Sequence, residues 1–342
     1  MIALGSLGYA RLSCSILIIA VTSLFVPCRT QSQMPPITDI VFDPGGASII
    51  ACSQDGLRVY SWPDLKLVRT VDVSFANLHC LKFSPDGKRL AVGGGYPSEE
   101  GIVEIFAWPE CTSMMKLAGH QDSVFAVVWC DNTGVVTGSL DRLLIQWDLV
   151  TKQVVRKFKG HSRGITAACF LQNGEMVTAA HDQSVRVWDV ETGKLVRSLN
   201  QHSKPIHSMA NCPVSGDMPM VATAAGDRTI RFWQPTIGRM VRYIRLDSEP
   251  LDIAWVSETM MIASCVDGKA RLVDSRSVRV VETIPGVDGW GYAVAVHPRD
   301  RSIAVAGGDG TVRRVDVQPS ADAEYQRHKP VVLNRSDPVG DR

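Results

Sequence analysis

Short runs in which apolar and polar residues alternate recur along most of the chain. ITDIVF (37–42), VFAVVW (124–129) and ITAACF (165–170) show this alternation, and a turn containing Asp, Asn or Gly follows each of them. An alternation with a period of two predicts a half-buried β-strand, and turn residues directly after it predict a hairpin. The pattern therefore predicts an all-β protein built from many short antiparallel strands.

These strands recur within a longer repeat. Each copy has an apolar strand, a tight turn and a second strand, as in MVTAAHDQSVRVWD (176–189), and a further strand follows, as in DVETGKLVRSL (189–199). Acidic residues recur in the tight turns at intervals of 40–45 residues: Asp55, Glu100, Asp141, Asp182, Asp227, Asp267 and Asp309. Four short strands in a repeat of this length are typical of a propeller blade. The repeat predicts a seven-bladed β-propeller of four-stranded antiparallel blades over residues 35–318.

The repeats resemble the WD-repeat family over residues 36–316, most closely in GHQDSVFAVVWCDNTGVVTGSLDRLLIQWD (119–148) and GHSRGITAACFLQNGEMVTAAHDQSVRVWD (160–189). The resemblance implies that a buried set of His, Ser or Thr, Asp and Trp side chains holds each blade together. The set would comprise His120, Ser139, Asp141 and Trp147 in the third repeat, His161, Asp182 and Trp188 in the fourth, and His202, Asp227 and Trp233 in the fifth. A buried Asp requires such hydrogen-bond donors, because an unpaired buried carboxylate is costly.

The set is incomplete in several repeats. Ala180 and Ala225 stand where the fourth and fifth repeats would need a hydroxyl, and Val273 and Val315 replace Trp in the sixth and seventh. The second repeat has a longer turn, GGGYPSEEG, without a clear acid at the usual position. The blades of the second, sixth and seventh repeats are therefore expected to depend on apolar packing.

The two ends of the chain differ from the repeats. Arg11 is the only charged residue before the apolar run SILIIAVTSLFV (15–26), and polar residues follow it. This order predicts a secretory signal peptide over residues 1–32, so we expect an exported protein, periplasmic or secreted. An uncleaved N-terminal membrane anchor is the alternative. Residues 319–342 form a polar tail in which HKPVVL (328–333) is a candidate for the outer strand of the last blade.

Charge and cysteine usage narrow the function. The chain has 36 Lys and Arg against 35 Asp and Glu, a net charge of +1, and so lacks the basic excess of a nucleic-acid-binding protein. We expect protein partners, no nucleic acid, no membrane contact beyond the N-terminal segment, and a monomer. The nine cysteines form no Cys-x-x-Cys pair and stand mostly in apolar runs, which indicates small buried residues.

Two motifs suggest chemistry, but the repeat explains both. GHSRG (160–164) matches the Gly-x-Ser-x-Gly pattern around a nucleophilic Ser162, yet that motif needs a following helix, and no helical pattern is present there. His120, His161 and His202 are candidate metal ligands, but they recur with the repeat and so belong to three separate blades. We therefore expect no enzymatic activity, no metal and no cofactor.

The residues expected to bind a partner stand in turns and loops. They are His181, Arg142 and Arg228 beside the acidic turns, and Trp290 and Tyr292 in the segment VDGWGYAV. By resemblance to the WD-repeat family, these segments lie at the face that most often meets partners, and aromatic and Arg side chains are frequent hot spots of binding.

Two functions remain open. The first hypothesis is a non-enzymatic protein–protein interaction scaffold. The alternative is an exported propeller that binds a small molecule or glycan, or acts as a hydrolase, through its central channel. The alternative requires polar side chains to converge from unlike loops, so that Glu99, Glu100 and Trp290 face one cavity.

Overall fold

The computed structural model describes residues 34–213 and 220–317, which form 27 β-strands and one 3-10 turn, Pro235–Ile237. The strands assemble into seven sheets, and within each sheet they pair in the order in which they follow along the chain. Every pairing is antiparallel, as the recurring hairpin turns predict. No helix in this part of the chain is long and apolar enough to cross a membrane.

The strand bounds of the first four blades are as follows. Blade 1 has β1 (Ile37–Phe42), β2 (Ser48–Ser53), β3 (Gly56–Ser61) and β4 (Leu67–Val71); blade 2 has β5 (Leu78–Phe83), β6 (Arg89–Tyr96), β7 (Glu100–Ala107) and β8 (Ser113–His120); blade 3 has β9 (Val124–Trp129), β10 (Gly134–Ser139), β11 (Leu143–Asp148) and β12 (Gln153–Lys159); blade 4 has β13 (Ile165–Phe170), β14 (Met176–Ala180), β15 (Val185–Trp188) and β16 (Leu195–Leu199).

The remaining strands form three further blades. Blade 5 has β17 (Ile206–Asn211), β18 (Val221–Ala225), β19 (Thr229–Gln234) and β20 (Arg239–Arg245); blade 6 has β21 (Pro250–Trp255), β22 (Met260–Cys265), β23 (Lys269–Asp274) and β24 (Arg279–Pro285); blade 7 has β25 (Gly291–Val296), β26 (Ile303–Gly307) and β27 (Val312–Val315).

The blades form a closed ring around a central channel. The first strand of each blade is innermost and packs against the first strands of both neighbouring blades, and β25 packs against β21 on one side and β1 on the other. The second strand of each blade is buried almost throughout, whereas the fourth strand alternates between exposed and partly buried residues. The seven-bladed propeller predicted from the repeat is confirmed.

Side chains connect blade 7 to blade 1 at the end of the ring where the first strand of each blade turns into the second, which we call the bottom. Trp62 Nε1 donates to Ser302 Oγ at 3.2 Å, and the His297 ring nitrogen Nε2 lies 3.0 Å from the carbonyl oxygen of Gly46. The Phe42 ring packs edge-on against both Trp62 and His297. The ring is thus closed by contacts between side chains of its first and last blades.

Blade 7 has three strands within the described residues, where the other blades have four. The expected outer strand, HKPVVL (328–333), lies outside the described residues. So do the expected leader, residues 1–32, and the tail, residues 319–342.

Hydrogen bonds between four side chains hold blade 3 together. His120 Nδ1 lies 2.9 Å from Asp141 Oδ2, and His120 Nε2 lies 2.7 Å from Thr137 Oγ1. Trp147 Nε1 donates to the same hydroxyl at 2.9 Å. The equivalent networks are His161, Asp182, Thr178 and Trp188 in blade 4, and His202, Asp227, Thr223 and Trp233 in blade 5.

The expected position of the hydroxyl was wrong. Ser139 instead donates to the carbonyl oxygen of Asp122 at 2.7 Å. The networks of blades 4 and 5 are complete despite Ala180 and Ala225, because Thr178 and Thr223 supply the hydroxyls. Trp147 pairs with Val135 across the sheet, so its indole reaches the next residue on that face, Thr137, and not the strand end. We call these sets the blade networks.

The blades that lack Trp do not depend on apolar packing alone, contrary to expectation. In blade 6, the guanidinium of Arg271 binds both oxygens of Asp267 and also Asp247, which lies in the preceding loop. Arg271 is only about 1% exposed. In blade 7, Arg313 Nη2 donates to one oxygen of Asp309 and one of Asp288, so in both blades an Arg with two carboxylates takes the place of the His network.

Blade 2 uses a different buried acid from the expected one. Glu100 is the first residue of β7 and pairs with Tyr96, so it extends the hairpin instead of occupying the turn. The buried carboxylate of this blade is Glu104, which accepts hydrogen bonds from Ser74 and Ser113. Ser74 stands in the loop that enters blade 2, as Asp247 and Asp288 stand in the loops that enter blades 6 and 7.

We expect Thr137→Val to destabilise the protein by about 2–3 kcal/mol, because it leaves the buried imidazole of His120 and the indole of Trp147 without their shared partner. The measurement is urea-induced unfolding followed by tryptophan fluorescence. The control, Thr283→Val, changes an exposed threonine on β24 and should stay within about 0.5 kcal/mol of the parent. Equal effects of the two substitutions would contradict the network.

Candidate functional site

The residues expected to bind a partner all lie at one end of the ring. Within each blade we call the strands A to D from the channel outwards. The D–A loop that enters a blade and the B–C turn of that blade are joined by backbone hydrogen bonds, as from His181 N to Gly164 O and from Gly308 N to Trp290 O, both 2.8 Å. We call this end the top face.

The channel opens at this end as a cavity of about 1100 Å³ lined by the A strands. Of the expected binding residues, His181, Trp290 and Tyr292 line it. Arg142 and Arg228 do not: they stand exposed on the B–C turns of blades 3 and 5. Glu99 and Glu100 are also absent from its lining, so the convergence that the channel-based alternative requires is not present.

Aromatic and imidazole rings surround the channel mouth in pairs. The His79 ring stacks on Phe125 with centroids 4.0 Å apart, His181 meets His207 edge-on at 6.5 Å, and Trp290 packs on Tyr292 at 5.9 Å. We call these six residues the mouth cluster. Trp290 is the most prominent of them because its side chain is about 51% exposed, while its own carbonyl oxygen accepts a hydrogen bond from Gly308 N.

Half of the mouth cluster was missed by sequence reasoning. His79, Phe125 and His207 are each the second residue of an A strand, as Tyr292 is in blade 7. The signal was present in the repeat, because equivalent positions of a propeller face the same region of the channel. A row of His, Phe and Tyr at that single repeat position could have identified the mouth.

The imidazoles of His79 and His181 are neutral at neutral pH. Burial lowers the pKa of His79 to about 4. Burial, together with the neighbouring His207 and Arg163, also holds the pKa of His181 below its ordinary value. His207 Nε2 lies 2.7 Å from Glu249 Oε1 in the next D–A loop. Neutral rings can both donate and accept hydrogen bonds, so the mouth can bind polar as well as aromatic groups.

Two carboxylates lie in the channel wall, but both already hold neighbouring blades together. Asp39 Oδ2 accepts from Leu81 N of blade 2 at 2.7 Å, and Asp252 Oδ2 accepts from Val294 N of blade 7 at 2.9 Å. Burial, followed by the nearby charge of Asp252, raises the pKa of Asp39 to about 7. Their oxygens accept hydrogen bonds from backbone amides of the neighbouring blades, which indicates a structural role.

The motifs that suggested chemistry lie in blade scaffolding. The backbone amide of Ser162 donates to Asp182 Oδ2 at 2.9 Å, and the segment that follows is strand β13 and not a helix. His120 and His161 each bind the Asp of the blade that follows them in the chain. Within residues 34–213 and 220–317, no group of three or more His, Cys, Asp or Glu side chains could hold a metal ion.

The described cysteines are all free thiols. Cys52, Cys80 and Cys265 are buried, as expected for small apolar residues, whereas Cys130 is exposed. Burial followed by the charge of Asp131 raises the pKa of Cys130 to about 11. A thiol with so high a pKa is largely protonated at neutral pH and is a poor nucleophile.

The family model described as the IFT122 first β-propeller matches residues 36–316 of the chain. Two curated proteins resemble shorter parts of it. "UBP9-binding protein bun62" of Schizosaccharomyces pombe is 28% identical over 138 residues, 38% of this chain and 24% of that protein. "WD repeat-containing protein 1" of Gallus gallus is 26% identical over 134 residues, 37% of this chain and 21% of that protein.

The matched chain spans less than a quarter of the length of either relative. The name of the first describes a protein that binds UBP9. WD-repeat propellers are in general non-enzymatic scaffolds that assemble with protein partners, and the comparisons therefore favour protein binding over chemistry.

Asp39→Asn should remove a pH-dependent loss of stability. The folded-state pKa of Asp39, about 7, lies above the ordinary 3.8, so its protonated form favours folding. That contribution is fully present below about pH 4 and is lost as the pH rises through 7, with a slope of at most about 1.4 kcal/mol per pH unit. Asn resembles the protonated carboxyl, and the variant should therefore lose less stability than the parent between pH 5 and pH 8.

The measurement is denaturant-induced unfolding of both proteins across this pH range. Asp64→Asn is the control, because the Asp64 side chain is largely exposed and its variant should follow the parent. Parallel pH profiles for Asp39→Asn and the parent would contradict the assignment.

Proposed function

Because the chain belongs to the family of the IFT122 first β-propeller, we propose that it is a non-enzymatic protein–protein interaction scaffold whose partners bind the top face. One observation carries the proposal. The indole of Trp290 is about half exposed at the channel mouth, although Trp is among the most apolar side chains of the molecule. Exposed aromatic residues on a rigid support are frequent hot spots of protein interfaces.

The rigidity of the mouth supports the same function. Trp290 packs against Tyr292, and the D–A loop that carries Trp290 is bonded through its backbone to the B–C turn of blade 7. A side chain that is already ordered loses little conformational entropy when a partner covers it. The mouth therefore offers a preformed anchor point.

The channel gives weaker support to the alternative function, the binding of a small molecule or glycan. A volume of about 1100 Å³ is sufficient for a small molecule or a sugar. However, Asp39 and Asp252 in its wall already accept backbone hydrogen bonds, and Glu99 and Glu100 lie away from it. A ligand would find few free carboxylates there, so protein binding at the top face is the function that we propose.

We also propose that the protein is exported. The single charge of Arg11 before the apolar run 15–26, and the polar residues after that run, support a secretory signal peptide. N-terminal sequencing of the protein isolated from native cells would test this: a mature end between residues 27 and 33 supports cleavage, and an intact N-terminus supports the anchor. The net charge of +1 supports a scaffold that does not bind nucleic acid.

Affinity capture from the native cell envelope after brief cross-linking tests the scaffold. We expect the parent bait to enrich at least one protein that a bait with His181→Ala and Trp290→Ala does not, because both side chains line the mouth. The matched control bait carries Val150→Ala, which removes an exposed apolar side chain from the turn after β11, at the opposite end of the ring. It should enrich the same protein as the parent.

Background recovery with every bait would contradict a top-face scaffold. Loss of the partner with the Val150 variant, but not with the double variant, would place the interface at the other end.

A further inference from the structure

Four exposed cations on the top face of blades 3–5 have no acidic partner. Arg142 and Arg228 stand on B–C turns, and Arg163 and Lys204 stand in the D–A loops that enter blades 4 and 5. Within the described residues, none of the four has an acidic group within ion-pair distance. We call these four residues the basic arc.

The blade networks explain why the basic arc is unpaired. The turn acids of blades 3–5 are only 5–6% exposed, and each binds the imidazole that precedes its blade: Asp141, Asp182 and Asp227. Two of these acids also have an Arg of the same blade nearby: Arg186 Nη2 lies 3.9 Å from Asp182 Oδ2, and Arg231 Nη2 lies 3.6 Å from Asp227 Oδ2. The buried turn acids of these blades are therefore not available to the outward-pointing cations on the same face.

The backbone shows that Arg142 and Arg228 are not required by the turn itself. Both have a left-handed conformation, with φ of +74° and +61°. The same turn position is Gly56, Gly268 and Gly310 in blades 1, 6 and 7. Glycine adopts this conformation without strain, whereas a residue with a side chain does so less readily. The two Arg side chains thus occupy positions where glycine would suit the fold better, and they contact no acid of the chain.

The opposite side of the top face carries the other charge. Blades 6 and 7 have four aspartates around Arg271 and Arg313, and the side chains of Asp247 and Asp288 are 78% and 85% exposed. An extended polyanion laid across the face would meet these carboxylates. Only an anionic segment short enough to stay on three blades matches the distribution of charge.

We propose that the basic arc binds a short segment of a partner protein that is rich in Asp or Glu. Carboxylates of that segment would pair with Arg142, Arg163, Lys204 and Arg228, and its neighbouring residues would reach the mouth cluster. Arg suits this task because its planar guanidinium binds carboxylates through two parallel hydrogen bonds. This inference rests on the proposed scaffold function and adds the chemical class of the partner.

The test compares matched glycine substitutions at the two ends of the ring. The test variant is Arg142→Gly with Arg228→Gly, which introduces the residue that blades 1, 6 and 7 already use. The control is Lys152→Gly: Lys152 is exposed, has a φ of +59° and lies on the bottom turn of blade 3, where blades 4 and 5 have Gly193 and Gly238. Each substitution removes a cation and relieves a left-handed backbone.

The probe is a fluorescein-labelled peptide of alternating Glu and Ser, with a Lys–Ser peptide and a single-stranded oligothymidylate of equal length for comparison. Fluorescence anisotropy at low ionic strength measures the affinity. We expect the Glu peptide alone to bind, its affinity to fall with added salt, and the double variant to bind it about five- to tenfold more weakly. Lys152→Gly should bind it as the parent does.

Three results would overturn the proposal: equal binding of the Glu and Lys peptides, equal weakening by the control variant, or tighter binding of the oligothymidylate, which would indicate a nucleic-acid ligand. If the double variant does not fold, Arg163→Gln with Lys204→Gln replaces it, with the same expectation. A partner that is captured by the parent bait and lost with the His181 and Trp290 variant would leave the scaffold intact even where the acidic-peptide result is negative.

Discussion

A carboxylate is buried beneath the top face in most blades, and it must receive hydrogen bonds because an unpaired buried charge is not tolerated. Blades 3–5 meet this requirement with an imidazole, a backbone amide and the hydroxyl network behind them. Although burial alone would raise the pKa of Asp182, hydrogen bonds from His161 and Ser184 hold it below its ordinary value. Blades 6 and 7 use a guanidinium shared by two aspartates, and blade 2 uses serine hydroxyls around Glu104.

This choice of donor determines the charge that each blade presents to a partner. An imidazole satisfies the turn acid without using any of the exposed cations, so Arg142 and Arg228 remain available. In blades 6 and 7, Asp247 and Asp288 stand in the D–A loops. Each of these two blades therefore has two carboxylates and one Arg, and negative charge remains at the surface. The internal chemistry of the blades therefore produces a top face that is basic over blades 3–5 and acidic over blades 6 and 7.

The repeat pattern was sufficient to predict the number of blades and most of their strands, and the resemblance to the WD-repeat family implied the face on which His181 and Trp290 lie. It could not distinguish Thr137 from Ser139, because residues two apart in a strand share a face, and only the pairing of Trp147 with Val135 decides between them. The repeat pattern also did not predict the pairing of Arg271 with Asp247, because the two residues are 24 positions apart. In blade 6 this pair stands in place of the His and Trp that the resemblance led us to expect. The mouth residues His79 and His207 were overlooked because neither belongs to the blade networks.

The most direct test of this account is the protonation state of the network imidazoles, which two-dimensional ¹⁵N–¹H NMR of histidine-labelled protein can report at neutral pH. Burial lowers the pKa of His161 and His202, even though their aspartates oppose this. The account predicts neutral rings with the proton on Nδ1, donated to Asp182 and Asp227, and with Nε2 accepting from the Thr178 and Thr223 hydroxyls. Doubly protonated rings, or neutral rings with the proton on Nε2, would contradict it.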